Sequence, residues 1–132
     1  EDFQLDCMKK RKPRNLNVVV AEKNSEARFA LCSLVTSLNC VAIPTCSGLE
    51  TMMAIKQESV ALVLLDVDLT LPNQENALHE IRQVAPMLPV IMMSGVMTPA
   101  FARRLGDRGA QGFLVKPIQR DQLAMTLFRY LL

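Results

Sequence analysis

Hydrophobic and polar positions alternate along this chain in blocks: five short apolar runs are separated by five amphipathic stretches. The runs occupy residues 16–21, 41–44, 61–65, 90–94 and 112–115. The first, third and fourth are almost continuously apolar, which is typical of strands covered on both faces in a parallel sheet. The pattern therefore predicts five β-strands.

The stretches between the runs predict five helices, because their apolar residues recur at helical spacing and good capping residues precede several of them. The caps are Asn24 or Ser25, then Ser47 with Glu50 as a capping box, and Thr98 followed by Pro99. We expect the third helix to bury Val84 and the fifth to bury Phe128, each with its apolar neighbours.

Strand–helix alternation with short connections predicts right-handed βαβ units. The fold class is therefore α/β, with a doubly wound, five-stranded parallel sheet covered by helices on both faces. A chain of 132 residues has room for one such domain, which we assign to residues 15–132. Residues 1–14 are polar and aperiodic, and they indicate a linker or an added expression segment. We expect the whole to be one domain of a longer protein.

Composition argues against several classes of protein. Half of the residues are hydrophobic, 21% are charged and the net charge is +2, far from the basic excess of a nucleic-acid binder. The apolar runs are shorter than the roughly 18–20 residues that cross a bilayer. Four cysteines without a C-x-x-C pair, and the single His79, indicate neither zinc nor disulfides. We expect a cytoplasmic domain with no nucleic-acid or membrane partner.

Polar side chains stand where the predicted strands end. They are Glu22 and Lys23 after the first strand, Asp66 and Asp68 after the third, Ser94 at the fourth, and Lys116 after the fifth. In a parallel sheet, polar sites collect at the carboxyl ends of the strands. A carboxylate can act as a nucleophile, and a hydroxyl and an ammonium can bind phosphoryl oxygens. The sequence therefore predicts a site for phosphoryl chemistry centred on Asp66.

With these residues the chain resembles the receiver domains of bacterial two-component systems, whose flavodoxin-like fold has strand order 2-1-3-4-5. By this resemblance Asp66 is the phosphoacceptor, while Ser94 and Lys116 bind the phosphoryl group. Phe113 matches the aromatic residue that moves with the switch serine. The bond between Lys116 and Pro117 is usually cis in the family, which makes Pro117 a structural residue.

The resemblance implies a signalling domain rather than an enzyme, apart from self-phosphorylation and self-dephosphorylation. It implies a histidine kinase or a phosphotransfer protein as the phosphodonor. It also implies a neighbouring output or sensor domain in the longer chain, with a homodimer as a further option. Phosphorylation is expected to draw Ser94 and Phe113 inward and to change the surface of the fourth helix, fifth strand and fifth helix.

One departure from the family concerns its metal. Receiver domains carry two adjacent acids after the first strand, which help to hold Mg²⁺. Glu22 fits the first acid, but Lys23 stands where the directly ligating acid belongs. Glu22, Asp66 and at most Asp68 remain as ligands, so we expect Mg²⁺ to bind weakly.

Two alternatives stay open. The first is a pseudo-receiver, a protein-interaction module that takes no phosphate, in which the ammonium of Lys23 lies near Glu22 and Asp66 and replaces the metal. A cation about 4 Å from a carboxylate contributes on the order of 4 kcal/mol before desolvation, at an effective dielectric near 20. The second is a haloacid-dehalogenase-like phosphohydrolase with Asp66 as nucleophile and Asp68 as acid and base.

Overall fold

A computed structural model describes residues 15–69, 71 and 76–131, so the predicted linker at residues 1–14 lies outside the described residues. The strands are β1 (Asn17–Ala21), β2 (Val41–Thr45), β3 (Leu62–Asp66), β4 (Val90–Ser94) and β5 (Gly112–Val115). The helices are α1 (Ser25–Ser37), α2 (Gly48–Gln57), α3 (Ala77–Val84), α4 (Pro99–Asp107) and α5 (Arg120–Leu131). Within these ranges, no helix is long and apolar enough to cross a membrane.

The strands form one sheet in the order β2-β1-β3-β4-β5, and every neighbouring pair is parallel. The three nearly continuous apolar runs became the three inner strands: β3 and β4 are buried throughout, and β1 at all but its first residue. The exposed Pro44 lies in the edge strand β2, where a missing backbone donor is tolerated. The predicted α/β fold is confirmed.

Two hydrophobic clusters cover the two faces of the sheet. On one face, residues of α2, α3 and α4 such as Met52, Ile81 and Leu105 pack against Val19 and other strand residues. On the opposite face, residues of α1 and α5 pack against Val18 and its counterparts. Because adjacent strand residues point to opposite faces, both clusters draw on the same strands. The result is a doubly wound domain.

The predicted caps are present. The side chains of Asn24, Ser47 and Thr98 each accept a hydrogen bond from a backbone amide in the first turn of their helix. The capping box is altered, because the Glu50 carboxylate accepts from the amide of Cys46 rather than from that of Ser47. These caps define where three of the helices begin.

Two core predictions were wrong. Val84 is 42% exposed and Phe128 is 63% exposed. Val84 is the last residue of α3, so no following turn covers it. Phe128 lies one residue beyond the buried Leu127, and a step of about 100° around the helix turns its side chain away from the sheet.

Gly109, in the turn before β5, has a φ of 106°, a conformation that favours glycine. The side chain of Arg82 lies directly against it: an added Cβ at Gly109 would stand 2.5 Å from Arg82 Cδ. Arg82 in turn donates hydrogen bonds to the carbonyl oxygens of Pro86 and Leu88. The absence of a side chain at Gly109 therefore lets α3 fasten the loop that leads into β4.

We predict that Gly109→Ala lowers the free energy of unfolding by about 1–3 kcal/mol, because alanine is strained at this φ and collides with Arg82. Gly95→Ala is the matched control, since an added Cβ there meets nothing within 4 Å; its effect should stay within about 0.5 kcal/mol. Urea unfolding of both variants provides the measurement. Equal losses in the two variants would contradict the argument.

Candidate functional site

The carboxyl edge of the sheet brings together side chains from four chain segments. Asp66 is the last residue of β3 and Ser94 the last of β4, and the register pairs Asp66 with Met93. Glu22 directly follows β1, and Lys116 directly follows β5. The structure thus gathers the predicted carboxylates, hydroxyl and ammonium at one edge.

Lys116 bridges two buried carboxylates. Its Nζ donates to Oδ2 of Asp66 at 2.8 Å and to Oε1 of Glu22. Glu22 and Asp66 are only 3% and 4% exposed, so water can supply few of their hydrogen bonds. Lys116 supplies one to each. We call these three residues the carboxylate–lysine triad. The lysine side chain extends from β5 past β4 to reach them.

The second oxygen of Asp66 is also bonded. Oδ1 accepts from the backbone amide of Asp68 at 2.9 Å, while the residue Asp68 itself is exposed. Burial acts to raise the pKa of Asp66, but the hydrogen bonds from Lys116 and from the Asp68 amide outweigh it and hold that pKa below its usual range. Asp66 is therefore an ionised carboxylate at neutral pH.

The pKa of Lys116 is shifted in the opposite direction from that of Asp66. Burial acts to lower the pKa of Lys116, but the hydrogen bonds to Asp66 and Glu22 outweigh it and raise that pKa above its usual value. The ammonium therefore stays charged across the physiological range. A fixed cation beside an ionised carboxylate suits the binding of phosphoryl oxygens.

Ser94 is held in a local turn. Its Oγ donates to the carbonyl oxygen of Val96 at 2.7 Å and accepts from the Val96 amide at 3.2 Å. The serine is 9% exposed, whereas Val96 is 71% exposed. The Ser94 carbonyl accepts from the amide of Lys116 at 2.8 Å. Ser94 thus stands beside the triad with its hydroxyl turned to its own loop.

Phe113 lies in β5, half-buried against the hydrophobic cluster that contains Leu105. Its ring comes within 3.9 Å of the point where a Cβ on Gly106 would stand, so it packs between β5 and α4. The peptide bond between Lys116 and Pro117 is cis, as the resemblance implied. The predicted aromatic and proline positions therefore lie in the elements that flank the site.

The expected position of Lys23 needs correction. Its side chain is exposed, and the ammonium that contacts Glu22 and Asp66 belongs to Lys116. The two ion pairs found among the described residues are both made by Lys116. Proximity in sequence suggested Lys23 as the bridging cation, but a lysine in a loop can turn to solvent. Lys116 cannot do so without leaving the charges of two buried carboxylates unpaired.

The described side chains offer Mg²⁺ no ready cluster of ligands. Mg²⁺ takes an octahedral shell of carboxylates and waters. In the part of the chain that the structure describes, no three histidine, cysteine, aspartate or glutamate side chains are close enough to hold a metal ion. The Glu22 and Asp66 carboxylates are instead engaged by Lys116.

Sequence reasoning missed Arg28. Its guanidinium NH1 donates to the carbonyl oxygens of Glu22 and Lys23 at 2.8 and 3.2 Å. The available signal was weak: an arginine in the first turns of α1, close enough in sequence to reach back to the end of β1. A long flexible side chain at that spacing usually points to solvent.

A groove of about 420 Å³ opens beside the triad, between α1 and the segment after β5. Glu22 and Lys116 lie at its polar end, and its walls are mainly apolar, with Ala27, Leu34 and Ile118 among them. The site therefore has an accessible, apolar approach on the α1 side.

Comparison with known proteins places this architecture in a family. The sequence model described as "Response regulator receiver domain" matches residues 18–128. Among curated proteins, the chain is 29% identical to Transcription factor SKN7 of Chaetomium thermophilum over 133 residues, covering 99% of this chain and 17% of that protein. It is 27% identical to Sensor kinase CckA of Brucella abortus, covering 83% of this chain and 12% of the kinase. The chain thus spans only a small part of these relatives.

Solved structures agree. NtrX from Brucella abortus superposes with a TM-score of 0.79 at 26% identity, covering 87% of this chain and 27% of that one. Chemotaxis protein CheY4 of Vibrio cholerae has a TM-score of 0.79 at 19% identity, covering 87% and 98%, and supports the fold alone. The family match favours the receiver prediction over the phosphohydrolase alternative. This chain belongs to the response regulator receiver domain family.

Proposed function

We propose that this domain is a cytoplasmic phosphoacceptor that receives a phosphoryl group on Asp66 from a histidine kinase or a phosphotransfer protein. The observation that carries the proposal is the buried, ionised Asp66 carboxylate hydrogen-bonded to the Lys116 ammonium at 2.8 Å, with the Ser94 hydroxyl at the end of the adjacent strand. This combination supplies a nucleophile and two groups that bind phosphoryl oxygens.

In the proposed transfer, an oxygen of Asp66 attacks phosphorus and forms an acyl phosphate. The bond between phosphorus and the donor's imidazole nitrogen breaks, and that nitrogen keeps the electron pair and takes up a proton. Lys116 stays charged and follows the transferred oxygens, because its third N–H is not used by Glu22 or Asp66. The transferred phosphoryl group ends on a side chain of the domain itself, so the domain acts as an acceptor rather than an enzyme.

The proposed output is a change in the surface formed by α4, β5 and α5. For Ser94 to bind a phosphoryl oxygen, its hydroxyl has to leave the Val96 carbonyl, to which it donates at 2.7 Å. That rearrangement releases the loop that leads into α4. Phe113, packed between β5 and α4, would follow the vacated space, as in a two-state population shift.

The proposed partner approaches along the groove beside α1. Its mainly apolar wall is formed by α1 residues such as Ala27 and Leu34, and it ends at Glu22 and Lys116. An apolar docking surface beside a charged reaction site matches the general anatomy of an interface, with a hydrophobic centre and a polar rim. In the longer protein, a neighbouring output or sensor domain would read the switched surface. A homodimer is the other proposed arrangement.

A second candidate function is a pseudo-receiver that binds partners without phosphorylation. It is favoured by one observation: Lys116 already bridges Glu22 and Asp66, so these carboxylates have a cation without a metal. Incubation with a small-molecule phosphodonor, with and without Mg²⁺, separates the two functions by intact mass. A parent protein that gains no phosphoryl group in either condition would favour the pseudo-receiver.

We predict that Asp66→Asn abolishes labelling by the phosphodonor, because the amide is not a nucleophile. Among the described carboxylates, only Asp66 and Glu22 are bonded to the Lys116 ammonium. Asp121→Asn, a substitution of an exposed acid at the start of α5, is the matched control and should label like the parent. Intact mass and peptide mapping provide the measurement. Labelling that persists in Asp66→Asn would contradict the assignment.

We predict that Lys23→Asp strengthens Mg²⁺ binding and speeds labelling of Asp66, because it removes a positive charge and adds a possible ligand. The parent is expected to bind Mg²⁺ weakly. Lys56→Asp makes the same charge change on the exposed surface of α2 and should alter neither property. Metal titration and labelling rates test this. If the parent binds Mg²⁺ as tightly as Lys23→Asp, the residue at this position does not govern metal binding.

The lowered pKa of Asp66 predicts a specific acid sensitivity. A carboxyl group with a depressed folded pKa contributes stability that is present above its unfolded pKa, about 4, and is lost as the pH falls through the folded value. Urea unfolding should therefore show that the parent loses stability below about pH 4 more steeply than Asp66→Asn. Parallel curves for the two proteins would show that Asp66 does not titrate with folding.

A further inference from the structure

Arg28 fastens the segment that joins β1 to α1. Its NH1 donates to the carbonyl oxygens of Glu22 at 2.8 Å and of Lys23 at 3.2 Å. Hydrogen bonds from a charged donor are about twice as strong as neutral ones. We call this pair of bonds the Arg28 clamp. It ties the first turns of α1 back to the end of β1.

The clamped segment sets the direction of the Glu22 carboxylate. One carboxylate oxygen, Oε2, accepts from the amide of Asn24 at 3.0 Å, and the other accepts from Lys116. The Glu22 amide donates to the carbonyl oxygen of Thr45 at 3.1 Å. The carboxylate is thus bonded within the same short segment whose carbonyl oxygens Arg28 holds.

The side chain of the neighbouring Lys23 is exposed and does not help to hold the Glu22 carboxylate. Its contribution to the clamp is its carbonyl oxygen. Together with the Asn24 cap, the half-buried Arg28 therefore links this segment to α1.

We infer that Arg28 is a positioning residue of the phosphoryl site, which holds Glu22 where it shares the Lys116 ammonium with Asp66. The role in phosphoryl transfer rests on the proposed function, whereas the effect on Lys116 does not. Arg28 acts through Glu22 and touches neither Asp66 nor the phosphoryl group.

Two explanations of Arg28 predict opposite effects on Lys116. If Arg28 positions Glu22, then Arg28→Met releases a hydrogen-bonded carboxylate from Lys116, and the pKa of Lys116 falls. If Arg28 acts only as a nearby cation, its removal relieves repulsion and the pKa of Lys116 rises. The sign of the change therefore separates positioning from simple electrostatics.

The test is competitive acetylation with acetic anhydride at mildly alkaline pH, with the modified Lys116 peptide quantified by mass spectrometry. A pKa fall of one unit makes the reactive free amine about tenfold more abundant. Arg28→Met and Glu22→Gln should each raise the acetylation rate of Lys116 several-fold. The double variant should react no faster than Glu22→Gln, because Arg28 acts through Glu22. Arg103→Met, an exposed arginine on α4, is the control and should match the parent.

Arg28→Lys guards against loss of fold in the methionine variant, which thermal unfolding would detect. Lysine keeps the charge but is shorter and lacks the planar fork of the guanidinium, so Lys116 reactivity should rise here too. Parent-like reactivity in Arg28→Lys, slower acetylation in Arg28→Met, or additive effects in the double variant would each overturn the inference.

Labelling of Asp66 by a small-molecule phosphodonor forms the second arm. Arg28→Met should label more slowly than the parent, and Arg103→Met should label at the parent's rate. A parent that is never labelled would refute the proposed function while the acetylation result still decides the role of Arg28. A labelled parent without the acetylation pattern would refute the inference about Arg28 alone.

Discussion

The contacts of the Lys116 ammonium with Glu22 and Asp66 are the interaction on which the rest of the site depends. Removing two carboxylates from water is costly unless a cation and hydrogen bonds compensate, and here one ammonium compensates both. Lys116 follows the edge strand β5, whereas Glu22 follows the inner strand β1 and Asp66 ends the central strand β3. One side chain therefore ties β5 to β1 and β3 across the intervening β4.

This constraint explains why so much of the surrounding backbone is engaged. The Lys116 amide donates to the Ser94 carbonyl, which fixes the backbone from which the lysine side chain extends. The Asp68 amide is bonded to Asp66, and the Asn24 amide to Glu22. Each carboxylate of the triad thus accepts from a backbone amide, and the lysine is anchored through its own backbone amide. The Ser94 hydroxyl differs, because both of its partners belong to Val96 in its own loop. It can break these bonds without leaving a buried charge unpaired.

Much of this arrangement could be predicted from the sequence, because strand-end positions are dictated by topology. The continuous apolar runs that became β1, β3 and β4 identified the inner strands, and parallel pairing then brought Asp66, Ser94 and Lys116 to one edge. The orientation of long flexible side chains could not be predicted. Lys23 was expected at the carboxylates and is exposed, whereas Arg28 was not singled out and reaches back to β1. Backbone topology fixes where a residue lies in the sheet far more closely than it fixes where the end of a long, flexible side chain points.

The charge at the site shows what Lys23 replaces and what it does not. Lys116 contacts both Glu22 and Asp66, while the exposed Lys23 balances the second negative charge in number only. A receiver with a second acid at the position of Lys23 reaches the same zero charge only when it binds a divalent cation. Lys23 therefore makes up the difference in formal charge but offers no ligand to a metal, because an ammonium has no lone pair to donate. Of the two cations, Lys116 is the one that hydrogen bonds orient, and it is held from two sides by Glu22 and Asp66.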